Sequence, residues 1–284
     1  MNSSISETAA QILTFGSRAL SITSQLIPGE VAIVGAGCGQ LELMTIKAAK
    51  IVADADALVY DSLVSSDILT LVNRNCQRHF VGKRCGQPSV KQEDINKLLS
   101  KLAQQGLKVV RLKGGDPHIF GRGAEEALYL AKRGIRSQFV AGITAALGSA
   151  SSSGIPLTFR GVARSVTLIT GTKFDESPTQ WQALLAAQST LVFYMGKEQA
   201  SAISSGLLAV GCHSDLPVAF ITNGGRDNQL ISYANLSTMA QAAASIKDAG
   251  PTLIILGDVV TVGQELNELL TNIEYPSICE PAYA

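Results

Sequence analysis

The amino-acid sequence predicts an α/β fold with two domains, and three observations support this prediction. Short apolar segments that are typical of buried strands alternate with helix-like segments between residues 31 and 140. This alternation favours a mostly parallel sheet covered by helices. The alternation breaks at residues 151–164, where small residues, a proline and two arginines occur, and a second set of strand-like segments follows. A chain of 284 residues, 46% of them hydrophobic, is long enough for two domains with separate cores.

The predicted elements of the first domain follow one another in order along the chain. Its strands are expected at Val31–Val34, Ala57–Tyr60, Arg78–Val81, Lys108–Leu112 and Gln138–Val140. Ser89 and Gln92 form a capping-box pattern that predicts the start of a helix, and Gly106 predicts its end. Helical spacing also indicates helices over residues 43–52 and 124–131.

The second domain is predicted to contain a mixed sheet. Its strands are expected at Ser165–Thr170, Thr190–Tyr194, Val218–Thr222, Leu230–Tyr233 and Thr252–Leu256. The short glycine-containing connection between the third and fourth of these strands favours an antiparallel pair. We therefore expect an N-terminal domain over residues 29–156 and a C-terminal domain over 157–272. Residues 1–28 read as an extension, either flexible or packed on a partner subunit, and residues 273–284 read as a tail.

Composition and charge argue against several classes of protein: nucleic-acid-binding, membrane-spanning, secreted and metal-binding. Lys plus Arg equals Asp plus Glu at 23 each, which argues against a nucleic-acid partner, because such partners usually demand a basic surplus. No apolar run approaches the roughly 18 residues that a membrane span needs, and the N-terminus lacks the basic start of a secretory signal. The five cysteines are odd in number and lack paired metal-ligand spacing. We therefore expect reduced thiols, no metal site and a cytoplasmic protein.

The most informative segment is the loop between the fourth strand and the following helix, residues 113–126, which reads KGGDPHIFGRGAEE. Four glycines and a proline describe a wide turn in which the backbone approaches something closely. Arg122 and Glu125 stand three residues apart, so a first helical turn would place them on one face. The loop is predicted to bind a ligand.

A second glycine-rich segment follows the first strand. Gly35, Gly37 and Gly39 resemble a dinucleotide-binding fingerprint, with Asp61 as its acidic partner. The fingerprint requires a glycine at position 40, where Gln40 stands, so a nicotinamide cofactor is not predicted. The glycines still indicate a loop at the carboxyl end of a strand where ligands bind in α/β folds.

Ten blocks in fixed order make the chain similar to the uroporphyrinogen-III C-methyltransferases of the tetrapyrrole methylase superfamily. The resemblance covers roughly residues 29–265, and the blocks are VGAGxG, LxTIKA, VYDxLVS, VGKR, VRLKGGDPxIFGRGxEE, AGITAA, GIPLTxR, TGT, LVFYMG and LIILGxVV. The resemblance implies two α/β domains with the active site in the cleft between them, and a homodimer. It implies transfer of two methyl groups from S-adenosyl-L-methionine to uroporphyrinogen III, giving precorrin-2 for the sirohaem, cobalamin or haem d1 branch, with S-adenosyl-L-homocysteine as the other product.

The resemblance also implies the roles of individual residues. Asp61 and Lys83 match the acid–base pair of the proton step, and Arg122 is the alternative for that step. Arg122 and Arg160 suit the carboxylates of the substrate, because guanidinium groups bind carboxylates bidentately. Glu125 would orient Arg122 or accept a pyrrole N–H. The methyl donor is assigned to Cys38, Gly114, Gly115, Asp116, Ile119, Thr144, Ala145, Met195, Gly224 and Thr252.

Three residues depart from the family pattern. The first glycine loop of the family usually has proline and aspartate where this chain has Cys38 and Gln40. The family also usually has an arginine after the VYD block, where this chain has Ser62. These departures leave two further interpretations open. One is a sister methylase that acts on a later corrin intermediate, on diphthamide or on ribosomal RNA. The other is a donor-binding pseudoenzyme with a regulatory role.

Overall fold

The structure of the protein is a computed structural model that describes residues 26–82, 90–172, 177–247 and 250–273. Residues 1–25, Lys83, Ser89 and the tail beyond Ile273, on which predictions were made, lie outside these ranges. The chain divides into two compact units. The first unit ends at Ser149 but also contains Asn223–Gln229, whereas the second contains Ala150–Thr222 and resumes at Leu230. The sequence did not indicate the assignment of Asn223–Gln229, and the predicted limits 29–156 and 157–272 remain predictions.

The first unit is built on a five-stranded parallel sheet, as predicted. Its strands are β1 (Val31–Gly35), β2 (Ala57–Tyr60), β3 (Gln77–Phe80), β4 (Val109–Lys113) and β5 (Ser137–Val140), in the order β3-β2-β4-β1-β5. Its helices are α1 (Ile46–Ala53), α2 (Gln92–Gln104), α3 (Gly123–Ala131) and α4 (Ala145–Ser153), and the last of these continues past Ser149. Short 3-10 turns occupy Leu41–Leu43 and Ser66–Leu71.

The three inner strands of the first sheet, β2, β4 and β1, are buried on both faces. Every residue of β1 is buried, and its side chains alternate between two apolar clusters. Ala32 and Val34 join the cluster that includes residues of α1, whereas Val31 and Ile33 join the cluster that includes residues of α2 and α3. This distribution explains the continuous apolar runs in the sequence, because a parallel strand covered on both faces needs no polar alternation.

The start of α2 differs from the sequence prediction. The helix begins at Gln92, and its N-cap is Lys91 rather than Ser89. The Gln92 Nε2 donates to Asn96 Oδ1 at 3.1 Å and to Glu126 Oε1 at 3.0 Å. The predicted end is confirmed: Gly106 has φ of +77°, a left-handed conformation that glycine adopts without strain.

The second unit contains the predicted mixed sheet. Its strands are β6 (Val166–Thr170), β7 (Thr190–Tyr194), β8 (Pro217–Thr222), β9 (Leu230–Asn235) and β10 (Thr252–Leu256), in the order β6-β7-β10-β8-β9. Among the described strands of this sheet, only β6 and β7 pair in parallel, and the predicted antiparallel pairing of β8 with β9 is confirmed. The helices are α5 (Pro178–Ala186), α6 (Ala200–Ala209), α7 (Met239–Ser245) and α8 (Val259–Thr271), with a 3-10 turn at Lys197–Gln199. Of all the helices in the described ranges, none has the length and apolar character that a membrane crossing requires.

Candidate functional site

Loops of the first unit meet at the carboxyl edge of its parallel sheet. Gly37 and Gly115 exchange two backbone hydrogen bonds, of 3.2 and 2.8 Å, and so join the loop after β1 to the loop after β4. The Gln40 amide donates to the Gly225 carbonyl at 3.0 Å, which ties Asn223–Gln229 to the loop after β1. The two glycine-rich segments singled out in the sequence are therefore hydrogen-bonded to each other at this edge.

Glycines are required here because the loops pack backbone to backbone. A Cβ added to Gly35 would lie 2.6 Å from both the Gly115 carbonyl oxygen and the Gly142 amide nitrogen. A Cβ on Gly114 would lie 2.5 Å from the Leu63 Cβ. At Gly115 itself the nearest atoms to an added Cβ are 3.7 Å away, although φ is +69°. The close approach that the sequence predicted is thus made mainly by one loop to another, and Gly115 is the position that leaves space.

Asp116 joins two of these loops through its carboxylate. Its Oδ1 accepts a hydrogen bond from the His118 amide at 2.8 Å, and its Oδ2 accepts one from the Gly142 amide at 3.0 Å. The side chain thereby stabilises the turn after β4 and fixes the loop after β5 against it. Since a carboxylate has about four lone-pair sites, this arrangement leaves Asp116 able to accept further hydrogen bonds.

Most of the residues assigned to donor binding in the first unit are close neighbours in the structure. An added Cβ on Gly115 would contact the Thr144 Cα and the Ala145 nitrogen, both at 3.7 Å. Ala145 is the first residue of α4, where backbone N–H groups lack intrahelical acceptors. The Ile119 amide donates to the Asp116 carbonyl at 3.3 Å. The structure therefore brings the predicted loop residues together at one edge of the sheet.

The departures at positions 38 and 40 are accommodated by Asn223–Gln229. The Cys38 Sγ donates to the Gly224 carbonyl at 3.2 Å, and burial raises the pKa of this thiol. The Gln40 Nε2 donates to Asp227 Oδ1 at 2.6 Å. A carboxylate therefore stands beside position 40 after all, supplied by Asp227. Sequence reasoning missed Asp227, because 187 residues separate it from Gln40.

Arg122 and Glu125 form the pair that their spacing predicted. Arg122 Nε and Nη2 donate to both oxygens of Glu125, at 2.7 to 3.1 Å, and this hydrogen bonding lowers the pKa of Glu125. Both side chains are more than half exposed, at 54% and 55%. An exposed i,i+3 pair contributes only about 0.2–0.5 kcal/mol to stability. The pair is therefore weak enough to exchange partners, and the Nη1 edge of Arg122 faces away from Glu125.

The backbone of the same loop is strained. Phe120 and Arg122 both have positive φ, +51° and +59°, although neither is glycine. Such conformations cost of order 1–3 kcal/mol each and cluster at binding and active sites. The loop between Pro117 and Gly123 is closed by the hydrogen bond from the Gly123 amide to the Pro117 carbonyl, at 3.1 Å. This strain supports a functional role for the position of Arg122.

Asp61 is the partly exposed end of a charged network that sequence reasoning missed. Its Oδ2 accepts a hydrogen bond from Arg111 Nη2 at 3.2 Å, and its Oδ1 accepts one from the Leu63 amide at 3.1 Å. Arg111 Nε donates to Glu126 Oε1 at 3.1 Å, and Lys113 Nζ donates to the same oxygen at 3.0 Å. The signal for this network was present in the sequence as two cations inside the otherwise apolar strand β4.

The network is buried, apart from Asp61. The side chains of Glu126, Arg111 and Lys113 are 0%, 4% and 6% exposed, whereas that of Asp61 is 23% exposed. Burial, followed by repulsion from Arg111, lowers the pKa of Lys113 despite its contact with Glu126. Glu126 Oε2 is buried without a hydrogen-bond partner in the described structure. Burying charged groups carries a large desolvation penalty. The buried charges beside Asp61 therefore indicate a role other than stability.

The remaining predicted residues lie in the second unit. Met195 follows β7, has φ of +52° and is 52% exposed. Thr252 is the first residue of β10 and pairs with Thr222 of β8. The Thr252 hydroxyl lies 2.9 Å from that of Thr222. Arg160 lies exposed in the turn between Phe159 and Ala163.

In the part of the chain that the structure describes, no group of three or more His, Cys, Asp or Glu residues is arranged to hold a metal ion. The predicted acid–base partner Lys83 lies outside the described residues. Of the predicted catalytic residues, Asp61 and Arg122 are thus the two whose surroundings can be described.

The chain matches a known family along most of its length. The family model described as Tetrapyrrole (Corrin/Porphyrin) Methylases matches residues 30–240. The chain is 47% identical over 239 residues to the siroheme synthase of Salmonella typhimurium. The match covers 84% of this chain. It spans about half the length of that relative, 52%.

Solved structures give the same result. A uroporphyrin-III C-methyltransferase from Thermus thermophilus, complexed with S-adenyl homocysteine, is 33% identical, with a TM-score of 0.69. The match covers 82% of this chain and 94% of that one. A cobalt precorrin-4 methyltransferase of cobalamin biosynthesis has a TM-score of 0.73 over 85% of this chain and 99% of that chain. Its identity of 20% supports the shared fold alone.

Proposed function

Because this chain belongs to the tetrapyrrole (corrin/porphyrin) methylases, we propose that it methylates uroporphyrinogen III twice with S-adenosyl-L-methionine and forms precorrin-2. The observation that carries the proposal is the 33% identity to the Thermus uroporphyrin-III C-methyltransferase across 94% of that enzyme. The 47% identity to siroheme synthase supports it over the part of that protein which the chain covers.

The loops at the edge of the first sheet fit the methyl donor. A donor with an amino-acid and a nucleoside portion needs backbone amides, hydrogen-bond acceptors and space close to the main chain. Gly115 offers the space, Ala145 offers an amide at a helix start, and Asp116 offers carboxylate lone pairs. Met195, which is half exposed, and Thr252, which is partly buried, keep their predicted assignment to the donor from the family resemblance.

We propose that Asp61 takes part in the proton step. When bound, S-adenosyl-L-methionine supplies a methyl group that its sulfonium already activates for transfer to a pyrrole carbon. The methylated macrocycle then carries a positive charge and must lose a proton, and the electron pair of the broken bond to hydrogen stays with the macrocycle. Asp61 is partly exposed and retains acceptor capacity beyond its two hydrogen bonds, so its carboxylate suits the role of proton acceptor.

The test is turnover with the purified chain. Under anaerobic conditions, with S-adenosyl-L-methionine and uroporphyrinogen III, mass spectrometry should show a product with two added methyl groups. Binding of S-adenosyl-L-homocysteine without turnover at saturating substrate would favour the pseudoenzyme interpretation. Turnover of a later corrin substrate only would favour the sister methylase.

Replacing Arg122 by lysine is expected to raise the KM for uroporphyrinogen III by about 10-fold, the loss of roughly one charge-assisted hydrogen bond. Lysine keeps the charge but loses the planar fork that binds carboxylates bidentately. Steady-state kinetics measure the KM, and calorimetry should show unchanged affinity for S-adenosyl-L-homocysteine. Arg133→Lys is the matched control, because Arg133 packs on Tyr129 at the end of α3. Equal effects of the two substitutions on KM would remove Arg122 from the substrate site.

We also propose a cellular compartment and an oligomeric state. The three described cysteines, Cys38, Cys76 and Cys212, are free thiols, which supports a reducing compartment such as the cytoplasm. The second unit has an apolar groove of about 530 Å³ that includes the exposed side chains of Phe159 and Leu269. Exposed apolar surface of this kind supports assembly as a homodimer. Light scattering on the purified chain would measure the oligomeric state.

A further inference from the structure

The buried network of Arg111, Lys113 and Glu126 ends at one partly exposed carboxylate, that of Asp61. Arg111 lies in the middle of β4, and the parallel register places it opposite Val59 of β2. Because side chains alternate along a strand, Arg111 and Lys113 point to the same face of β4, and Asp61 follows directly after the last residue of β2, Tyr60. Asp61 is therefore beside the cations at the carboxyl ends of the two neighbouring strands.

The guanidinium of Arg111 is held on three sides. Its Nε donates to Glu126 Oε1, and its Nη1 donates to the carbonyls of Leu112 at 2.9 Å and Val59 at 3.4 Å. Its Nη2 is the nitrogen that donates to Asp61 Oδ2, at 3.2 Å. The planar fork is thus fixed by anchors in the protein interior and presents one edge to the exposed carboxylate.

Glu126 is itself clamped, which fixes Arg111 in turn. The same oxygen, Oε1, accepts hydrogen bonds from Arg111, from Lys113 at 3.0 Å and from Gln92 at 3.0 Å. These donors come from β4 and α2, and Glu126 belongs to α3. The position of the Arg111 fork is therefore set by several elements of the first unit together.

A gain in folding stability does not explain this arrangement. Buried ion pairs are often no better for stability than apolar residues of similar volume, because desolvation offsets the attraction. The unpaired Oε2 of Glu126 adds a further cost. The network ends at the partly exposed carboxylate of Asp61. A functional role of the buried charges is therefore expected at that carboxylate.

We propose that Arg111, anchored by Glu126, is a positioning residue that orients the Asp61 carboxylate for proton acceptance. The inference rests on the proposed methyl transfer, with Asp61 as proton acceptor. The Leu63 amide holds Oδ1 and Arg111 holds Oδ2, so the carboxylate plane is fixed and the remaining lone pairs have defined directions. A catalytic group misplaced by about 1 Å can lose on the order of 100-fold in rate.

A double-mutant cycle between Arg111 and Asp61 tests the inference. Lysine at position 111 keeps a cation but lacks the fork that reaches both Glu126 and Asp61, so Arg111→Lys should lower kcat by about 10- to 100-fold. The KM and the affinity for S-adenosyl-L-homocysteine should stay near wild type. In the Asp61→Asn background the same substitution should change kcat by less than about 2-fold, because a residue that acts through Asp61 has nothing left to orient.

Controls separate this role from a structural one. Lys108→Met removes a cation that pairs with Asp54 just before β4 begins, at the opposite end of the strand, and should leave kcat unchanged. If Arg111→Lys does not fold, judged by circular dichroism, the pair Arg111→Met with Glu126→Gln removes one charge of each sign and should show the same dependence on Asp61.

Two outcomes overturn the inference. A kcat that is unaffected by the change at Arg111 would show that Asp61 needs no orientation. Equal losses in the wild-type and Asp61→Asn backgrounds would show that Arg111 acts by another route. A wild-type chain without turnover would contradict the proposed function as well, whereas either of the first two results in an active enzyme contradicts this inference alone.

Discussion

Replacing Gly35 by alanine is expected to lower the free energy of unfolding by about 3 kcal/mol or more. The new Cβ would lie 2.6 Å from the Gly115 carbonyl oxygen and 2.6 Å from the Gly142 amide nitrogen. Both obstacles are backbone atoms, so no side-chain rotation relieves the clash, and the loops after β4 and β5 must move. Urea unfolding followed by far-ultraviolet circular dichroism would measure the loss.

Gly134→Ala is the matched control for this prediction. Gly134 has a positive φ of +71°, but an added Cβ there meets nothing within 4 Å. The expected cost is the backbone strain alone, about 1–2 kcal/mol. The Gly35 variant should also bind S-adenosyl-L-homocysteine more weakly, since its clash displaces the loops proposed to bind the donor. A Gly35 variant as stable as the Gly134 variant would mean that the close packing at this edge is not maintained in solution.

Asp61→Asn is expected to lower kcat by about 100-fold or more, the usual contribution of a general base. Asparagine keeps an oxygen that can accept from the Leu63 amide, but it loses the negative charge that accepts a proton and pairs with Arg111. Single-turnover kinetics with mass detection would measure the rate, and calorimetry would check that the donor still binds.

The control for Asp61 is an aspartate that pairs with a lysine elsewhere in the first unit. Asp54→Asn removes the partner of Lys108, a partly exposed pair at 3.0 Å, and should leave kcat near wild type. If Asp61→Asn turned over uroporphyrinogen III at the wild-type rate, the proton acceptor would have to be sought elsewhere, with Lys83 and Arg122 as the remaining predicted candidates.

Local spacing was sufficient to predict pairs and elements that depend on neighbours in the chain. Arg122 and Glu125 meet because three residues separate them at the start of a helix, and the structure confirms the contact. Gly106 ends α2 as predicted, because a left-handed residue after a helix is a local requirement. The start of α2 was predicted two residues too early, because the N-cap is Lys91, and the predicted cap Ser89 lies outside the described residues.

The sequence by itself determined the strand pattern, the change from a parallel to a mixed sheet, and the glycine-rich loops at the carboxyl ends of strands. These features follow from the periodicity of apolar residues and from the backbone freedom of glycine, which act over a few residues. Only the tertiary structure decided which distant groups would meet: Arg111 and Lys113 with Glu126, Arg111 with Asp61, and Gln40 with Asp227. Strand register and loop packing across 13 to 187 residues set these contacts, and no local spacing encodes them.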